Sequence, residues 1–133
     1  MATKKTSAKT ATKEKTLTVP DMTVLINCMT PCSKCSIIKK YITSSTRAWV
    51  KNLGYTLVYN STNSKTANYW ATYGKPNKVG QATPQIYVIK NQNEVIGSMI
   101  SPGEKIGNYE VPETDKWSTV MLREIIKNLI ELV

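Results

Sequence analysis

The chain has 133 residues, with 18 Lys or Arg against 9 Asp or Glu, a net charge of +9 and no histidine. That length fits one domain and is too short for a large barrel. Without histidine there is no imidazole base, ligand or proton shuttle, so any chemistry falls to Cys, Lys, Tyr or carboxylates.

Residues 1–16 alternate Lys, Thr, Ala and Ser and hold five lysines against Glu14. Such a segment cannot bury enough apolar surface to offset its ordering entropy, so it reads as a disordered basic tail. Its charge suits a nucleic acid or an acidic partner surface, bound by counterion release, or serves only to solubilise the chain. The folded domain then spans residues 17–133, opened by Pro20 and Asp21.

Thr23-Val24-Leu25-Ile26-Asn27 is a β-rich apolar run suited to a buried central strand. The cysteines Cys32 and Cys35 follow closely, and then Ile38, Tyr41, Ile42, Trp49 and Leu53 recur at spacings that predict one helical face. Gly54 supplies a stop, because glycine accepts the left-handed position after a helix. Tyr55–Tyr59 reads as a second strand parallel to the first. A short helix is expected near Ala67–Tyr73, ended by Gly74 and Pro76. Gln85–Lys90 alternates Ile86 and Val88 with Tyr87 and Ile89, as a strand does. Asn91-Gln92-Asn93 is turn material, and Glu94–Ile100 returns antiparallel. A loop holding Pro102, Gly103, Gly107 and Pro112 precedes a last helix near Asp115–Leu132. Leu122, Ile125, Ile126, Leu129 and Val133 form its buried stripe, with Thr114 or Asp115 as cap. The order β-α-β-α-β-β-α predicts an α/β fold with a four-stranded mixed sheet and helices on both faces.

No apolar run approaches the roughly 18 residues of a membrane span, and no apolar stretch of a secretory leader follows Met1. The expectation is a cytoplasmic chain without membrane contact, where cysteines are reactive or metal-bound more often than structural staples. Zinc lacks a fourth ligand here, since only three cysteines and no histidine are available. Cys28, Cys32 and Cys35 share the spacing C-x-x-x-C-x-x-C with radical S-adenosylmethionine enzymes. However, those resemble a longer partial barrel, place an aromatic where Lys34 stands, and would leave a cluster one thiolate short. Cys28 is therefore read as a strand-end core residue, a regulatory disulfide with Cys32 being the alternative.

Cys32-Ser33-Lys34-Cys35 follows a buried strand and opens a helix inside a βαβ pattern, the setting in which C-x-x-C reads as a redox pair. Free N–H groups at the helix start favour a thiolate at Cys32, Lys34 adds positive charge, and Pro31 stiffens the approach. Cys35, one turn deeper, is expected to stay protonated until Cys32 has reacted. The bland rival for Cys35 is a small buried hydrophobe. Tyr55, Tyr59, Tyr69, Trp70 and Tyr73 could stack bases, but their spacings fit core packing and a groove rim better.

At these residues the chain resembles the glutaredoxin branch of the thioredoxin superfamily. The resemblance rests on Thr23–Tyr41 with its C-S-K-C, and on Ala82-Thr83-Pro84-Gln85-Ile86-Tyr87-Val88 followed by a hairpin and Gly97. The element order agrees over residues 20–133. The resemblance implies a thioredoxin fold, a cis Pro84 lying against the cysteines, and a Thr83 backbone that pairs with the thiol substrate. It implies a thiol–disulfide oxidoreductase with Cys32 as nucleophile and Cys35 as resolving thiol, and Pro31, Lys34, Thr83 and Pro84 around the substrate. No bound cofactor is implied; glutathione or a thioredoxin reductase would donate electrons, and the partner would be a disulfide-containing protein or glutathione. The chain departs from the family pattern at Ser33-Lys34, where Pro-Tyr is usual. It departs again at Met29, where a lysine usually meets a glutathione carboxylate, and at Gly97-Ser98, where Gly-Gly is usual. These departures favour, as the alternative, a redox-inactive binding module of a larger assembly anchored by its tail.

Overall fold

The computed structural model describes residues 17–63 and 68–133; the basic tail, residues 1–16, and the predicted helix start at Ala67 lie outside the described residues. Four strands form one mixed sheet: β1 (Thr23–Met29), β2 (Thr56–Thr62), β3 (Gln85–Asn91) and β4 (Glu94–Met99). The order across it is β2-β1-β3-β4. β1 pairs parallel with β2, Leu25 opposite Val58, and antiparallel with β3, Leu25 opposite Tyr87. β3 and β4 form the hairpin expected around Asn91–Asn93, with the Asn93 amide donating to Asn91 Oδ1 at 2.9 Å. Val24, Leu25 and Ile26 are fully buried, which is why this run lies in the middle of the sheet.

The helix anticipated over Ile38–Leu53 is two helices, α1 (Ser33–Lys39) and α2 (Ser44–Asn52). The break lies at Thr43-Ser44-Ser45-Thr46, hydroxyl residues that compete with helix interiors by bonding the nearby backbone. Thr43 caps α2, its Oγ1 accepting from the Thr46 amide at 3.1 Å. The predicted stripe therefore crosses a break, and the residues α2 buries are Thr46 and Val50, while Leu53 is 43% exposed. Gly54 does end α2, at φ +92°, with its amide bonded to Lys51 O.

The short helix is a single wide turn, Trp70–Gly74, in which the Lys75 amide reaches back five residues to Trp70 O. Gly74 is required there, because a Cβ would collide with the Trp70 indole. The long loop contains a small hairpin, β5 (Lys105–Ile106) with β6 (Tyr109–Glu110). The last helix, α3 (Thr119–Leu132), starts later than expected. Thr114–Lys116 makes only a short 3₁₀ turn, and then Trp117 extends the chain and buries itself, donating Nε1–H to Pro112 O at 2.9 Å. The cap is Ser118, not Thr114 or Asp115, accepting from the Met121 amide at 3.1 Å. Met121, Leu122, Ile125, Ile126 and Leu129 are its buried stripe, and Val133 is only partly buried.

Helices cover the two faces unequally. Cys35 and Ile38 of α1, Val50 of α2 and the α3 stripe meet Val24, Ile26, Ile86 and Val88 on one face. On the other, Leu25, Tyr87 and Ile89 are covered by Val19, Tyr73 and Val79, so the Trp70–Gly74 turn is the helical element there. Among the described residues no helix is long and apolar enough to cross a membrane.

Candidate active site

The thiols gather at the carboxyl end of β1. Cys28 is the sixth residue of that strand, opposite Ser61 of β2, and is fully buried on the helix-covered face. After Met29 the chain turns through Thr30 and Pro31, with the Thr30 amide bonded to Thr62 O at 2.9 Å and a cis Thr30–Pro31 peptide. It then enters α1 at Cys32, the N-cap residue, whose backbone is extended. The usual cap is a hydroxyl or carboxamide oxygen. Here the sulfur takes that place, Cys32 Sγ accepting from the Cys35 amide at 3.3 Å.

A second segment closes the site from across the sheet. The Thr83–Pro84 peptide is cis, as the resemblance implies, and Pro84 is buried while Thr83 is half-buried. Thr83 Oγ1 donates to Cys32 Sγ at 3.3 Å, and the Cys32 thiol donates to Thr83 O at 3.6 Å. The sulfur thus lies between a helix start and the Thr83 residue, accepting from the Cys35 amide and the Thr83 hydroxyl and facing the Thr83 carbonyl.

Cys35, 3% exposed, faces the core one turn on. Its thiol is pushed up out of the ordinary thiol range, first by its hydrogen-bonding contact with Cys28 and next by burial, with Cys32 and Thr83 acting in the opposite sense. Tyr59 of β2 adjoins the same pair: burial and the neighbouring Cys28 raise its hydroxyl to about 12. All three cysteines are free thiols.

Of the residues singled out from the sequence, Cys32, Cys35, Thr83 and Pro84 come together. Pro31 is exposed beside them. Lys34 lies half-buried in the first turn of α1 and has no carboxylate partner among the described residues. The aromatic set divides between the two faces: Tyr55 and Tyr59 join the helix-covered core, while Tyr69 and Tyr73 stack at 6.1 Å on the other. They do not form one base-stacking surface. No group of three His, Cys, Asp or Glu able to hold a metal ion occurs among the described residues.

Sequence reasoning missed a buried amide network behind the Thr83 segment. Asn27 Nδ2 donates to Asn68 Oδ1 at 2.9 Å and to Gln85 Oε1 at 3.0 Å, and Asn60 Nδ2 donates to Asn27 Oδ1 at 2.8 Å. Tyr87 donates its hydroxyl to Gln85 Oε1 at 2.6 Å, and Gln85 Nε2 donates to Gly80 O. Gln85 follows Pro84 directly, so this network fixes both ends of the loop that presents Thr83. The available signal was a polar residue, Asn27 or Gln85, directly beside the apolar runs Val24–Ile26 and Ile86–Ile89.

Comparisons with family models, with curated proteins and with solved structures give no match. The functional reading therefore rests on the residues and their geometry.

Proposed function

We propose that the chain is a thioredoxin-fold thiol–disulfide oxidoreductase of glutaredoxin type, working in a reducing cytoplasm. The observation that carries this reading is the Cys32 sulfur, held as helix cap by the Cys35 amide and by the Thr83 hydroxyl, each at 3.3 Å. The sheet order β2-β1-β3-β4, with the first and last helices on one face, supports the fold assignment.

In the reaction, Cys32 thiolate attacks one sulfur of a substrate disulfide. A Cys32–substrate disulfide forms and the other substrate sulfur leaves as thiolate. Cys35 then attacks Cys32 Sγ, releasing the second substrate thiol and closing a Cys32–Cys35 disulfide. The raised Cys35 thiol is protonated before that step, and its proton passes to the departing substrate sulfur. The cis-Pro84 loop presents the Thr83 backbone to an extended substrate, with Pro31 and Lys34 along the rim. Glutathione or a thioredoxin reductase returns the electrons, and no bound cofactor is needed for this chemistry.

Disulfide reduction measured with each donor in turn tests this. Wild type should turn over with at least one donor, Cys32→Ser should fall to background, and Cys35→Ser should accumulate the mixed disulfide. Wild type inactive with both donors, and a Cys32 that resists alkylation at neutral pH, would replace this reading with that of a redox-inactive binding module.

A further inference from the structure

Charge is distributed unevenly along the folded chain. Residues 22–93 contain nine Lys or Arg and no Asp or Glu, whereas residues 94–133 contain four Lys or Arg against seven Asp or Glu. The acid-free stretch supplies β1, α1, α2, β2 and Thr83, and so every residue placed at the thiol site. The fold preserves this division. β1 runs toward the thiols and β3 runs antiparallel to it, so Asp21 before β1 and Glu94 at the start of β4 lie at the opposite end of the sheet. There Gln92 Nε2 donates to Asp21 Oδ1 at 3.3 Å. The remaining described carboxylates belong to the β5–β6 hairpin, its flanking loops and α3.

Cations of the acid-free stretch are held in place without being neutralised. Lys34 stands in the first turn of α1, two residues after Cys32. In the last turn of the same helix, Lys39 Nζ lies 5.9 Å from the centre of the Tyr59 ring. Arg47 Nη1 donates to Leu57 O of the edge strand β2 at 2.8 Å. Lys75 Nζ, in the segment that leads toward Thr83, lies 5.4 Å from the Trp70 ring centre. A ring face or a carbonyl orients a cation and leaves its net charge intact. Among the described residues the ion pair is Lys105–Glu110, at 3.7 Å, outside this stretch.

We propose that the thiol site selects acidic polypeptide substrates, in which Asp or Glu flank the disulfide that Cys32 attacks. This deepens the oxidoreductase reading above and rests on it. An extended segment pairing with the Thr83 main chain brings the residues beside its cystine to the start of α1, where Lys34 stands. A positive field that no neighbouring carboxylate cancels also concentrates anionic partners and raises their rate of encounter. A nucleic acid would meet the same charge, but it carries no sulfur for Cys32 to attack. The Tyr59 and Trp70 rings, which could otherwise stack a base, are each already faced by a lysine.

Two peptides of equal length, each with one internal disulfide, test this against full-length reduced protein. In one the cystine is flanked by Asp and Glu, in the other by Lys and Arg. Single-turnover reduction is quenched in acid and followed at low and at high salt. The acidic peptide should react about tenfold faster or more at low ionic strength, and the gap should close as salt screens the field. Lys34→Gln combined with Lys39→Gln should narrow the gap. The basic tail is unchanged in that variant, so the loss belongs to the folded site. Equal rates in wild type, or an undiminished gap in the variant, overturn the proposal and leave the oxidoreductase intact. If the two substitutions weaken binding of a single-stranded oligonucleotide more than they slow the acidic peptide, the face is a nucleic-acid surface and the proposal fails. Reduction of neither peptide removes the oxidoreductase reading, and this one with it.

Discussion

On one face of the sheet Val24, Ile26, Ile86 and Val88 meet Ile38, Val50 and the α3 stripe, an aliphatic core with the thiols at its edge. On the other, Leu25, Tyr87 and Ile89 meet Tyr73, Val79 and Val19, and hydrogen bonds run through that layer. The Val19 amide donates to the Tyr73 hydroxyl at 3.0 Å, Tyr73 donates to Gln92 Oε1 at 2.9 Å, and Trp70 Nε1–H reaches Val79 O at 2.7 Å. The first face gains stability from area removed from water. The second has only one turn of helix over it, and specific polar contacts fix its covering segments. The thiol site draws on both, since Cys32 belongs to α1 while Thr83 is held by the Asn27–Gln85 network.

The largest change in stability is expected on the aliphatic face. Ile126 is fully buried in α3, so Ile126→Ala should cost about 2–5 kcal/mol by lost transfer energy and the cavity left behind. Urea unfolding measures it. A cost under about 1 kcal/mol would mean that α3 is not seated as described.

On the amide face the loss is smaller in stability and larger in function. Asn27→Ala removes three hydrogen bonds, yet Asn68 Oδ1 keeps the Trp70 amide and Gln85 Oε1 keeps the Tyr87 hydroxyl. The expected cost is about 1–3 kcal/mol. Gln85→Ala releases Gly80 and loosens the loop carrying Thr83, so under the proposed oxidoreductase function turnover should fall by more than the stability change implies, up to about a hundredfold for a misplacement near an ångström. Full turnover in Gln85→Ala would show that the network holds the fold without positioning Thr83.

The same contrast explains what could be read from the sequence. The sheet strands were legible because β1 and β3 are short, β-branched and bounded by turn residues, and the alternation of Ile86 and Val88 with Tyr87 and Ile89 matches the two cores. The cysteine site was legible because cap position and C-x-x-C spacing are local properties. The helix break at Thr43 was not, since Ile42, Trp49 and Leu53 keep helical spacing across it by coincidence. Nor was the late start of α3, which depends on burying Trp117. The amide network joins Asn27 to Asn60, Asn68 and Gln85, partners 33 to 58 positions away, and no periodicity reports such pairings.

The smallest expected effect distinguishes the faces by pH. Cys35 and Tyr59 lie on the thiol face; Tyr73 and Tyr87 lie on the other. Contact with Cys28 and burial raise Cys35, and burial raises Tyr59 to about 12 and pushes Tyr73 and Tyr87 up as well. Raised values mean that the folded chain keeps these protons while the unfolded chain releases them. Their stabilising effect is therefore complete below the ordinary values and is lost progressively as pH rises past them. For Cys35 the loss begins near the ordinary thiol value of 9.0. For the tyrosines it begins near 10.0, and the Tyr59 contribution levels off near 12. Chemical unfolding across this range should show stability falling in two stages. Cys35→Ala should remove the earlier stage and leave the later one. Tyr87→Phe should flatten the later stage and leave the onset near 9.0 unchanged. If Cys35→Ala left the onset where wild type has it, the buried thiol would not be protonated in the fold. The order in which Cys32 and Cys35 react would then need another explanation.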